Sequence, residues 1–124
     1  MMSPSIHFLL EQVVDTPAKL HCVMLFAQRT ITKGTLNHIA QHVGHDIWSI
    51  EQAAKELVEA GILQQTEAET PQYEYRPKPF FRDALELLTQ AYTDPIQRNE
   101  IHDYMREISR YAPYRAHFNN VVMI

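Results

Sequence analysis

The stretch Leu57-Val58-Glu59-Ala60-Gly61-Ile62-Leu63 restricts the fold more than any other part of this chain. It closes an amphipathic pattern on a glycine and leaves at once through an apolar pair. Upstream, Ile47, Ile50, Ala54, Leu57 and Val58 recur at the 3.6-residue period. A helix is therefore expected from Ile47 to Ala60, with Asp46 as its N-cap. Gly61 permits a sharp reversal because glycine tolerates positive φ. Ile62-Leu63-Gln64-Gln65 then reads as a strand, with at least one of its apolar residues facing inward. Thr66 to Gln72 is a polar loop containing Pro71, and Tyr73-Glu74-Tyr75-Arg76 alternates as a returning strand that Pro77 and Pro79 end.

The remaining segments are helical, with one short exception. Ile6, Leu9, Leu10, Val13 and Val14 give residues 5–14 one apolar face. Thr16 and Pro17 fit the N-cap and first position of a second helix reaching about Gln28. Its Leu20, Val23, Met24, Leu25, Phe26 and Ala27 predict burial on more than one side. Thr30-Ile31-Thr32-Lys33 is β-branched and reads as a short strand broken by Gly34. Thr35 caps a third helix, Leu36 to about Val43, whose inward face is Leu36, Ile39, Ala40 and Val43. Gly44 fits the left-handed position after it. Further helices are expected over 81–92 and 95–111, the second striped by Ile101, Tyr104, Met105 and Ile108. Tyr92, Tyr104, Tyr111, Tyr114 and Phe118 suit a core or dimer interface at this spacing better than a ligand pocket. The tail, 113–124, ends in an apolar tip, Val121-Val122-Met123-Ile124.

Helix, short strand, helix, tight turn, helix, strand, polar loop, strand is the order of a winged helix-turn-helix. The expected fold is mostly α with a small β-wing, flanked by N- and C-terminal helices. The 124 residues fit a single domain, 1–124, with its winged core over 17–80 and a C-terminal helical extension over 81–112. That extension is a candidate dimerisation element.

From Pro17 to about Arg82 the chain resembles bacterial winged-helix transcriptional regulators of the MarR-like kind. The resemblance is carried by Thr35-Leu36-Asn37-His38-Ile39-Ala40-Gln41-His42-Val43, by Ile50 through Leu63, and by Tyr73-Glu74-Tyr75-Arg76-Pro77. It implies a cytoplasmic DNA-binding homodimer with helix 47–60 in the major groove of double-stranded DNA and wing 62–77 on the backbone. The outward positions of that helix are Trp48, Ser49, Glu51, Gln52, Lys55, Glu56 and Glu59. Ser49 and Gln52 can bond base edges, and Lys55 can meet a phosphate. Lys33, Arg76, Lys78 and Arg82 are the further cationic candidates. Trp48 is either an exposed contact or a staple of the turn onto the core, and the staple is the expectation. Glu51, Glu56, Glu59, Glu67 and Glu69 depart from a polyanion-binding pattern. They leave a second reading open, a winged-helix protein-interaction module without DNA binding.

Composition narrows the classes further. Eleven Lys and Arg against fifteen Asp and Glu leave a net charge of −4, which argues against polyanion binding over the whole surface. No apolar run approaches the roughly 20 residues that span a bilayer. The patch Phe8-Leu9-Leu10 is too short for a signal peptide, so a cytoplasmic, membrane-free protein is expected. The single cysteine, Cys22, reads as a small buried thiol, and its neighbour His21 points elsewhere on a helix. His38 and His42 stand at i and i+4 with His45 just after, but the metalloprotease glutamate and a matching carboxylate are absent from the sequence nearby, so no metal is expected. Three glycines, Gly34, Gly44 and Gly61, cannot assemble a phosphate-cradling loop. Neither a cofactor nor an enzymatic activity is expected.

Overall fold

The caps that punctuate the sequence are where the helices start. The computed structural model describes residues 2–108. Ser3 Oγ accepts from the Ile6 N–H at 3.2 Å and opens α1, Pro4–Gln12. Thr16 Oγ1 accepts from the Lys19 N–H at 3.2 Å and opens α2, Pro17–Ala27. Thr35 caps α3, Leu36–Val43, and Asp46 caps α4, Ile47–Ala60. Each cap satisfies an amide that the first turn leaves without a partner. α5 spans Pro79–Thr93, and a further helix, α6, occupies 95–108 up to the end of the described residues.

α2 is the hub. It packs on α3, α4, α5 and the sheet. Ala18, Lys19, Leu20 and every residue from Cys22 to Phe26 are buried, so burial runs round the helix as its uninterrupted apolar run predicts. Ile39, Ile50, Leu57, Ile62, Leu85, Leu88 and Ile101 fill the core around it. α5 packs on α1, and Tyr104 of α6 donates to Glu11 of α1, which ties the last helix to the first.

β1 (Lys33–Gly34), β2 (Leu63–Gln65) and β3 (Tyr73–Tyr75) form an antiparallel sheet in the order β1-β3-β2. Lys33 and Gln64 flank Glu74, while Gly34 and Gln65 flank the buried Tyr73.

Several boundaries differ from the sequence reading, among them α5, which starts at Pro79 rather than Phe81, β2, which starts at Leu63 rather than Ile62, and β3, which ends at Tyr75 rather than Arg76. α1 starts one residue early and ends at Gln12, because the Val13 and Val14 amides both bond back to Leu9 O, at 3.0 and 2.6 Å. Gln28 caps α2 rather than extending it. Thr30 is drawn into that helix end by an N–H bond to Leu25 O at 3.1 Å, with Arg29 at φ 60, so the strand starts only at Lys33. Gly34 does not break the strand but belongs to it, opposite Tyr73. A β-carbon there would lie 3.0 Å from His38 Nδ1 and 3.3 Å from Ile31 Cδ1, so α3 sits closely over the strand at this glycine. α3 and α4 match their expected bounds. Tyr111, Tyr114, Phe118 and the tail 113–124 lie outside the described residues.

Candidate nucleic-acid interface

The turn between α3 and α4 is held from both sides. Gly44 ends α3 at φ 72, and Asp46 then opens α4. Asp46 Oδ1 accepts from the Ser49 N–H at 2.9 Å, and Oδ2 accepts from the Ser49 hydroxyl at 2.8 Å. These bonds, the amide first, hold the Asp46 carboxyl below its ordinary range. Ser49, expected to face bases, has its hydroxyl proton engaged within its own helix.

Gln52 is engaged as well. Its Nε2 donates to Glu56 Oε2 at 3.1 Å. The other Glu56 oxygen accepts from Lys19 Nζ at 3.2 Å, and Lys19 also donates to Asp15 at 2.8 Å. Lys19 is 6% exposed. This chain of contacts anchors the outer face of α4 to α2. Sequence reasoning missed Lys19; its i,i+4 spacing from Asp15 was the available signal, but nothing local points to Glu56.

Trp48 overturns an expectation. It is 77% exposed and therefore does not staple the turn to the core. Its side chain borders a groove of about 470 Å³ with Pro17, Ala18 and Gln52, between α4 and the start of α2. Lys55, Glu51 and Glu59 are also exposed on α4, and Lys55 has no ion pair among the described residues.

The wing loop closes through the Thr66 N–H to Gln72 O, 2.9 Å, and the Gln72 N–H to Thr66 Oγ1, 3.0 Å. Thr70 and Pro71 of this loop line a groove of about 250 Å³ with Thr35, Leu36 and Asn37 at the start of α3 and Ile47 at the start of α4. The wing loop and the N-termini of both helices of the motif thus lie side by side.

The sequence-predicted cations do not form one stripe. Lys33 lies across the sheet from Glu74, and Arg76 Nε donates to Glu74 Oε1 at 2.9 Å. Lys78 runs along Gly61 at the C-terminal end of α4, the end opposite Trp48. Arg82 lines a cleft of about 680 Å³ with Arg29, Thr32, Tyr75 and Thr89, on the α5 side of the sheet.

Four of the histidines meet in two ring pairs. His38 and His42 meet edge to face at 4.7 Å. His21 Nδ1 lies 2.7 Å from His45 Nε2, so one ring donates and the other accepts. Burial, then His45, then His102 push the His21 pKa down. This contact joins α2 to the turn before α4, and residues 24 apart in sequence gave no hint of it. Among the described residues no group of three or more His, Cys, Asp or Glu is placed to hold a metal. Cys22 is buried, and burial pushes its thiol up to about 12.

No family model and no curated protein matches the sequence. Solved structures do match the fold. The adhesin competence repressor AdcR from Streptococcus pyogenes superposes with a TM-score of 0.53 at 15% identity, over 89% of this chain and 82% of that one. Transcriptional regulator Tm0710 from Thermotoga maritima superposes with a TM-score of 0.52 at 13% identity, over 96% of this chain and 84% of that one. The chain has the winged-helix fold of these regulators.

Proposed function

We propose that this protein is a cytoplasmic, DNA-binding transcriptional regulator that acts as a symmetric homodimer. The observation that carries this reading is the shared groove of Thr70 and Pro71 with Thr35, Asn37 and Ile47. It aligns the wing loop with the helix N-termini that a duplex meets in a helix-turn-helix complex. In this reading α4 enters the major groove with Trp48, Ser49, Gln52 and Lys55, while the wing follows the backbone. Lys33 and Arg76 on the sheet are nearer phosphate candidates than Lys78 and Arg82, which stand away from the wing loop. The regulators of the same fold support the reading at the level of the fold.

The dimer rests on exposed apolar surface. Phe80 is 77% exposed at the start of α5 and meets Phe8 of α1 edge to face at 6.3 Å. Leu87 continues this surface along α5. An isologous contact through this face would cover it in both copies.

The test is titration of the full chain with mixed-sequence duplex DNA between about 50 and 200 mM salt, with the oligomeric state measured in parallel. Salt-sensitive binding by a dimer is the expected result. One observation favours the second reading, a protein-interaction module: Glu51, Glu59, Glu67 and Glu69 are all exposed, and Arg76 is held by Glu74. Absence of binding at about 50 mM salt would select it.

A further inference from the structure

We infer that Trp48 is the base-reading residue of the interface, and that it selects thymine through the C5-methyl group and O4. The inference rests on the DNA-binding reading above and gives it a chemical target.

Residues at the N-terminal end of a recognition helix are the ones that reach base edges. Among the polar candidates there, the Ser49 hydroxyl donates to Asp46, and the Gln52 amide donates to a Glu56 carboxylate that Lys19 holds in place. Each keeps spare hydrogen-bonding capacity, the Ser49 lone pairs and the second Gln52 N–H with its Oε1, but both side chains are tethered along the helix by these bonds. Asp46 and Glu51 repel phosphate. Trp48, 77% exposed in the first turn, is the large uncharged group left to approach the duplex.

An indole offers an apolar ring and one N–H donor, and it accepts nothing. In the major groove thymine alone presents a methyl group, and beside it the acceptor O4. Ring against methyl and N–H toward O4 uses both features of the side chain. Guanine offers acceptors without a methyl, and the cytosine and adenine amino groups find no acceptor on an indole. The doubly bonded Asp46–Ser49 cap fixes the turn that carries Trp48, so the ring is presented from a rigid base.

Trp48 is the only tryptophan in the chain, so its fluorescence reports on this residue alone. The experiment selects a preferred duplex from a mixed pool and synthesises it with dT or with dU, which removes only the C5-methyl. Wild-type protein is expected to change its fluorescence on binding and to lose about fourfold in affinity for each contacted methyl removed. Trp48→Ala should bind the dT and dU duplexes equally. Trp48→Phe should keep the dT preference, since the ring remains. Binding with unchanged fluorescence and equal affinity for dT and dU would overturn the inference and leave the regulator reading standing. No binding of any duplex by wild type would overturn that reading, and this inference with it.

Discussion

Arg76 donates to Glu74 at 2.9 Å, and Glu74 in turn lies directly across the sheet from Lys33. One carboxylate in the middle strand therefore sits between two of the cations that a DNA-binding wing would use. Alternation along β3 puts residues 74 and 76 on one face, and the register puts 33 opposite 74. The pair is exposed on the Arg76 side and contributes little to stability, in the range of about 0.2–1 kcal/mol. Its larger effect is on the field the wing presents to a polyanion.

Glu74→Gln should therefore tighten binding to mixed-sequence duplex DNA by about two- to fivefold, the equivalent of such an exposed pair. It should also steepen the salt dependence, because Arg76 becomes free to displace a counterion. Titration of wild type and variant at matched salt measures both. An unchanged affinity and slope would remove Arg76 from the phosphate-contacting set.

Leu57 and Trp48 lie on the same helix and should respond oppositely to truncation. Leu57 is fully buried, so Leu57→Ala is expected to cost about 2–5 kcal/mol. Trp48 is exposed, and Trp48→Ala should stay within about 0.5 kcal/mol. Urea unfolding of the two variants beside wild type gives the comparison. A loss below about 0.5 kcal/mol for Leu57→Ala would show that the core does not depend on it.

Leu57, Asp46, Gly44 and Gly61 were all legible in the sequence because each acts locally. A cap, a left-handed glycine or a 3.6-residue stripe is decided by neighbours in the chain. Trp48 was misread because exposure depends on which way a turn faces, and the local pattern allows both directions. Lys19 with Glu56, and His21 with His45, were invisible for a different reason. Each pair joins two elements whose relative position only tertiary packing sets. The cation set suffered in the same way. Lys33 and Arg76 share a face only through strand register, and Arg82 is turned to a cleft by the start of α5.

His21 should make the fold acid-sensitive. Its folded pKa lies below the usual histidine value of about 6.5, chiefly through burial and then through His45 and His102. Between the two values the unfolded chain binds more protons, so stability rises with pH through that window. The contribution is complete above about pH 6.5 and is lost as pH falls toward the folded value. The denaturation midpoint should fall between about pH 7 and pH 5 more steeply in wild type than in His21→Gln. Parallel pH profiles for the two proteins would show that His21 adds nothing to acid sensitivity.

Gly61 carries two constraints that a substitution can separate. Its φ of 91 is a left-handed conformation that any β-carbon strains. A β-carbon would also come within 2.4 Å of Lys78 Cε, because the Lys78 stem lies over it. The Lys78 N–H donates to Gly61 O at 2.9 Å, which fixes the two backbones together. Gly61→Ala should therefore cost about 1–3 kcal/mol from the backbone, plus whatever moving Lys78 requires. The clash runs along the Lys78 stem from Cε to Cγ, and rotation of that flexible side chain relieves it, so the second part should be the smaller. Lys78→Ala in the Gly61→Ala background should recover that part alone and leave the backbone cost in place. Urea midpoints for the two single variants and the double variant form the cycle that separates them. Full recovery in the double variant would assign the whole effect to the lysine and none to the turn.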